Sequence, residues 1–88
     1  MASVMVFHEV DDVAHWQSSP KRSEIFGPLG ITIKTFVDPE GSDKVGLMLD
    51  VPDMEALKAM LESEVGVEAM KYDGVRPDTI QMLLESKT

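Results

Sequence analysis

Three stretches of this 88-residue chain are apolar at every position: Val4-Met5-Val6-Phe7, Leu47-Met48-Leu49 and Met82-Leu83-Leu84. Extended backbone turns successive side chains to opposite faces, so a strand with one wet face alternates apolar and polar residues. Runs without alternation need apolar cover on both sides. The chain has two helical regions, enough to cover one face of a sheet. The other face would leave Met, Leu and Phe as a larger patch than soluble monomers usually carry. The expectation is a homodimer packed sheet to sheet, with Met48 on the outer side, opposite Leu47 and Leu49.

The remaining pattern sets the order of elements. Ser3–Val10 reads as a strand rich in β-branched residues. Asp11 or Asp12 is placed to cap a helix carrying Val13 and Trp16, since a carboxylate accepts the free amides of a first turn. Ser18-Ser19-Pro20 interrupts it, because proline removes a donor and clashes with the preceding turn. A second helical piece then starts with Ser19 as cap and Pro20 as first residue, and runs to Gly27-Pro28. Gly30–Val37 alternates as a strand, Asp38-Pro39-Glu40-Gly41-Ser42-Asp43 is dense in turn formers, and Lys44–Val51 forms the other arm of a hairpin. Asp53 caps a helix whose stripe is Met54, Leu57, Met60 and Leu61. Ser63 caps a further turn or two with Val67 and Met70, ending near Gly74. Pro77–Glu85 reads as the last strand. One α+β domain over residues 1–88 is expected, with the ferredoxin-like order β-α-β-β-α-β, a four-stranded antiparallel sheet and helices on one face.

Charge and composition narrow the partners. Sixteen acidic residues face eight basic ones, a net charge of −8. Phosphate backbones and anionic lipid surfaces would be repelled, so neither nucleic acid nor membrane is an expected partner. Cysteine is absent. That excludes disulfides, thiolate metal sites and a cysteine nucleophile, and fits a reducing, cytoplasmic setting. Met1–Val10 lacks the basic region of a signal peptide and carries Glu9 early. Nothing resembles a phosphate-binding glycine loop, a nucleophile elbow or a metal-ligand spacing, so no cofactor and no metal is expected.

The chain resembles the dimeric α/β-barrel superfamily, which includes antibiotic-biosynthesis-type monooxygenases and stress-responsive barrel proteins. The resemblance spans nearly the whole chain. It rests on Val10-Asp11-Asp12-Val13-Ala14-His15-Trp16, Gly30-Ile31-Thr32, Asp38-Pro39-Glu40-Gly41, Val51-Pro52-Asp53-Met54-Glu55-Ala56-Leu57, Glu68-Ala69-Met70, Asp73-Gly74-Val75 and Pro77. It implies two four-stranded sheets meeting in a dimer barrel, with a pocket between sheet and helices in each subunit. Some relatives oxidise aromatic or quinol-like substrates there without a cofactor, and others bind haem. The oxidising branches commonly employ an asparagine with a tryptophan. This chain has Trp16 and no asparagine, so that oxidation is not expected of it.

Few residues have the chemistry for a site. His8, in the set Val4, Val6, His8, Val10, has the near-neutral pKa of a general base; the alternative is a core-edge histidine bonded to backbone. His15 follows the capping aspartates by one turn and points either to the pocket mouth or to solvent. Trp16 is core or substrate platform. Arg22, in the pair Lys21-Arg22, can hold a small carboxylate or phosphate, or lie on a solvated helix surface. Lys34 alternates with apolar neighbours on a strand and can enter an intersubunit ion pair. Tyr72 and Asp73 close the last helical turn. His8 and His15 are thus the candidate catalytic residues, and Trp16, Arg22, Lys34 and Tyr72 the candidate ligand contacts. The leading expectation is a small apolar molecule bound between sheet and helices. A cofactor-free monooxygenase-like or isomerase-like enzyme, and a structural dimer with no ligand, are the alternatives.

Overall fold

The computed structural model describes residues 2–86. Strand β1 is Ala2–Glu9, followed by helices α1, Val13–Ser18, and α2, Lys21–Phe26, and a 3-10 turn at Gly27–Leu29. Strands β2, Thr32–Val37, and β3, Lys44–Val51, form the hairpin. Helices α3, Met54–Glu62, and α4, Glu64–Asp73, precede a second 3-10 turn at Pro77–Thr79 and strand β4, Gln81–Leu84. The sheet is four-stranded and antiparallel, in the order β2-β3-β1-β4. This is the ferredoxin-like α+β arrangement that the order of elements predicts.

The local signals at the helix starts act as read. Asp12 caps α1 by accepting from the His15 amide at 3.1 Å, and Asp53 caps α3 by accepting from the Glu55 and Ala56 amides. Ser63 caps α4 by accepting from the Gly66 amide at 3.1 Å. Gly74 ends α4 with φ +72°, a left-handed conformation that costs glycine little. Four elements shift their bounds. Strand β1 covers Ala2–Glu9 rather than Ser3–Val10, with Val10 in a separate bridge to Val75. Helix α2 begins at Lys21, with Pro20 itself in the cap position; β2 begins at Thr32, because the Ile31 amide is spent on the Phe26 carbonyl. The last strand is half its expected length. Pro77 opens a 3-10 turn in which Thr79 Oγ1 donates to the Arg76 carbonyl, so pairing with β1 begins only at Gln81.

Register sorts the side chains. Val4 pairs with Leu49 and Leu84, Val6 with Leu47 and Met82, and His8 with Val45. These residues share the face that the helices cover; Val4, Val6, Val45, Leu47 and Leu49 make the core with Trp16, Phe26 and Leu57, His8 is buried at its edge, and Met82 and Leu84 on the edge strand β4 stay exposed. The intervening positions turn the other way. Met5 pairs with Met48 and Leu83, Phe7 with Gly46 and Gln81, and Phe36 with Gly46. Among the described residues no helix lies on that face, and Met5, Phe7, Phe36 and Leu83 are 40, 40, 51 and 58 % exposed. Met48 is half-buried on it, on the side opposite Leu47 and Leu49, as expected.

One cation fastens the end of the sheet near α1. Arg76 donates from Nε to Asp11 at 3.0 Å, from Nη1 to Glu9 at 3.2 Å and from Nη2 to Asp43 at 3.4 Å. Its backbone amide donates to the Glu9 carbonyl. The three carboxylates come from the end of β1 and from the turn before β3, so the guanidinium holds the α4–β4 connection beside them. The neighbouring carboxylates, Asp11 above all, push its pKa above the ordinary arginine value. Among the described residues no helix is long and apolar enough to cross a membrane.

Candidate functional site

A cavity of about 160 Å³ lies between the inner sheet face and the helices. Its wall is chiefly aliphatic, with Leu47, Leu49, Leu57, Leu61, Ile25 and Met82 contributing. Four residues with polar atoms also line it: His8, Trp16, Arg22 and Asp73. Each arrives from a different element. His8 takes its place from the period-two alternation of β1, Trp16 from α1, Arg22 from α2 and Asp73 from the last turn of α4.

These four form one corner. Arg22 Nη1 donates to Asp73 Oδ2 at 3.3 Å, and Nη2 donates to the Trp16 carbonyl at 2.7 Å. The guanidinium carbon stands 4.2 Å from the Trp16 ring centre, close enough for cation–π attraction. The His8 ring meets Trp16 edge to face at 5.9 Å. The Arg22 and Asp73 side chains are only 11 and 5 % exposed. Breaking such a buried pair is far more costly than its formation is favourable, because one charge would be left alone.

The corner is short of hydrogen bonds. Among the described residues, His8 Nδ1 and Asp73 Oδ1 are fully buried without a hydrogen-bond partner. Each such atom costs about 1–3 kcal/mol against a satisfied one. Burial lowers the pKa of His8 from its ordinary 6.5, and the Arg22 cation lowers it further; the Glu9 backbone and the Asp73 carboxylate pull the other way without reversing the shift. His8 is therefore a neutral imidazole at pH 7. Burial also lowers Arg22, opposed by Asp73, yet an arginine stays protonated in proteins. The corner holds one cation, one carboxylate and one neutral ring.

Structure comparison gives this architecture a context. A solved structure described as an antibiotic biosynthesis monooxygenase superposes with a TM-score of 0.66 at 16 % identity, covering 100 % of this chain and 99 % of its own. The chain shares the ferredoxin-like fold of that structure. A protein of Arabidopsis thaliana gives 0.58 at 10 % identity, covering 100 % of this chain and 96 % of its own. An ethyl tert-butyl ether family protein of Bacillus halodurans gives 0.53 at 14 % identity and 100 % of both chains. No protein-family model matches the sequence, and no curated protein matches it significantly. At these identities the likeness is one of fold.

Within this fold the candidate residues separate. His8, Trp16 and Arg22 converge on the cavity. Arg22 belongs to its buried wall rather than to a solvated helix surface, because α2 lays that side chain across Trp16 toward α4. His15 lies off the cavity: Nε2 donates to the Tyr72 carbonyl at 2.8 Å, and the two rings tilt together at 5.0 Å. Tyr72 is half exposed in an open groove between α2 and α4, with Lys21 5.1 Å from its ring centre. Lys34 is not at the cavity at all. It pairs with Met48, and the pleat sends both to the uncovered sheet face. Asp73 does more than close α4. Gly66, Ala69 and Asp73 are the buried positions of that helix, at spacings of three and four, and this stripe was the signal in the sequence. Among the described residues no group of three or more His, Asp or Glu side chains is placed to hold a metal ion.

Proposed function

We propose that the protein is a homodimer, joined through the uncovered sheet face, that binds a small apolar molecule in the cavity between sheet and helices. The observation that carries the binding reading is the cavity itself, walled chiefly by aliphatic side chains beside a buried corner with unmatched polar atoms. A collapsed structural core would have packed this space and paired those atoms. Drug-sized ligands need roughly 300 Å³ or more. At about 160 Å³ the ligand is of single-ring size, near the scale at which an engineered apolar cavity of about 150 Å³ takes up benzene.

The dimer reading rests on Met5, Phe7, Phe36 and Leu83, which share the face that no helix covers. A second copy buries all four by a two-fold axis, with Lys34 near enough to the rim to pair with an acidic residue of the other sheet. Native mass spectrometry of protein from its own host tests both parts. The expected spectrum shows a dimer carrying a small adduct. A monomer without adduct, together with a stable monomer in the ultracentrifuge at micromolar concentration, would refute the reading.

One observation favours an enzyme as the second reading. A neutral buried His8 at the cavity is equipped to accept a proton, as an isomerase-like reaction requires. Proton exchange at an activated carbon of a bound ligand, lost in His8→Ala, would establish it.

A further inference from the structure

We infer that the cavity is completed by a second copy of the chain, which covers its mouth along strand β4, so that ligand binding and dimerisation strengthen each other. This rests on the homodimer and binding readings above and adds the place where the two meet. Among the described residues that line the cavity, Ile80 and Met82 are the exposed ones, at 37 and 42 %. The other lining residues are buried or half-buried. Both exposed residues belong to one segment: Met82 lies in β4, and Ile80 directly precedes it. The cavity therefore opens beside β4, and an apolar ligand in a lone subunit keeps part of its surface in water there.

Strand β4 is exposed in three directions. It is an edge of the sheet, paired with β1 alone, so the backbone groups on its far side are open. Leu83 pairs with Met5 on the uncovered sheet face, while Met82 and Leu84 on the opposite face are also exposed. Proteins usually blunt an edge strand with charge, proline or a bulge. Gln81–Leu84 contains neither charge nor proline, whereas β2, the other edge, carries Lys34. The occupant follows from continuity. Phe7, Met5 and Leu83 carry the apolar surface of the uncovered face up to this edge, and Met82 and Ile80 carry it over the edge to the mouth. A second copy seated on the uncovered face meets β4 as part of the same surface and shields the ligand there. An extended peptide of another protein would cover the edge yet leave Met5, Phe7 and Phe36 in water.

The test measures benzene binding and dimerisation on the same samples. Benzene suits a cavity of about 160 Å³. Protein-observed NMR titration follows the Trp16 indole and the methyl groups of Leu47, Leu49 and Leu57, and sedimentation equilibrium gives the oligomeric state. The unaltered dimer is expected to bind benzene at least about fivefold tighter than Met48→Asp held at concentrations where that variant is monomeric, the low end of ordinary coupling between sites. Raising the Met48→Asp concentration until it pairs should restore the affinity. Saturating benzene should in return tighten the unaltered dimer, by the same factor for each site filled. Leu84→Lys puts a charge on the edge without altering the cavity wall, and it should weaken the dimer by at least about tenfold. Equal benzene affinity in dimer and monomer would overturn the inference and leave both readings beneath it intact. A Leu84→Lys dimer as tight as the unaltered one would also overturn it and leave β4 free for a different chain. A protein that stays monomeric at every concentration would overturn it together with the homodimer reading, and the absence of any benzene shift would overturn it together with the binding reading. If Leu84→Lys does not fold, the comparison of dimer with monomer decides alone.

Discussion

Gly66→Ala tests the geometry that holds α4 over the cavity. Helix α3 ends at Glu62 and α4 starts at Glu64, so Ser63 alone joins them. Ser63 closes both helices: its Oγ donates to the Met60 carbonyl at 2.6 Å and accepts from the Gly66 amide at 3.1 Å. Gly66 is thereby drawn against the last turn of α3. A Cβ added there would stand 2.1 Å from the Met60 carbonyl oxygen and 3.1 Å from its carbon. Ordinary contact needs more than 3 Å, and the obstacle is backbone, which no rotamer change can clear. Relief requires α4 to move by about an ångström, which disrupts the Ser63 cap, worth about 1 kcal/mol, and opens packing around Ala69 and Asp73. Overpacking of this kind costs about 1–3 kcal/mol. The sum is about 2–4 kcal/mol, reduced to about 1–3 kcal/mol by the helix preference for alanine over glycine. At about 4–8 °C per kcal/mol for a domain of this size, the melting temperature should fall by at least about 4 °C. Differential scanning calorimetry measures it, with Ser63→Ala as the control for the cap alone, expected to lose about 1 kcal/mol. A Gly66→Ala protein melting within 3 °C of the parent, a margin on the order of 0.5 kcal/mol, would refute the close approach of α4 to α3.

Further outcomes follow from the corner and the open face. Asp73→Asn strands Arg22 in a buried site and should lower stability by about 3 kcal/mol in urea melts, while the Arg22→Met, Asp73→Leu double variant recovers most of that; equal losses in both would mean that the pair does not act as a unit. Because the folded-state pKa of His8 lies below the unfolded value of 6.5, the unfolded chain binds the extra proton, so its contribution is intact above pH 6.5 and is lost as pH falls below it, by at most about 1.4 kcal/mol per pH unit. His8→Phe should flatten the stability profile between pH 6.5 and 5, and an unchanged slope would assign the effect to other groups. Met48→Asp puts a carboxylate between Met5 and Lys34 on the uncovered face; the proposed dimer should weaken by at least about tenfold in sedimentation equilibrium, since each subunit must desolvate a charge against Met5 even with Lys34 beside it, with the monomer fold kept. An unchanged dimer would move the interface elsewhere. Oxygen uptake with quinols or anthrone-like phenols should stay slow and equal in the parent, His8→Ala and Trp16→Phe; robust turnover lost in His8→Ala would make His8 a catalytic base for oxidation.

Local chemistry was legible in the sequence. Asp12, Asp53 and Ser63 cap helices because a cap acts on amides two or three residues away, within the reach of the residues that a sequence shows together. The two faces of β1 and β3 were legible for a similar reason: the pleat fixes which side each residue takes, so Met48 could be set opposite Leu47 and Leu49 before any fold was built. Where the sequence misled, longer-range terms had competed with local ones. Pro77–Thr79 had the look of strand, but Thr79 found the Arg76 carbonyl and the Glu9 amide, and the turn tightened there. Lys34 sat among apolar neighbours without any sign of which sheet face the cavity would take; the helices chose the other face. The polar corner belonged chiefly to tertiary structure, with the Gly66, Ala69, Asp73 spacing its one trace in the sequence. Arg22 and Asp73 are 51 residues apart in the chain, and each alone reads as a surface charge at a helix end. Only the packing of α2 against α4 beneath Trp16 removes both from water, and that desolvation makes a pair of ordinary side chains, with His8 beside them, into a site.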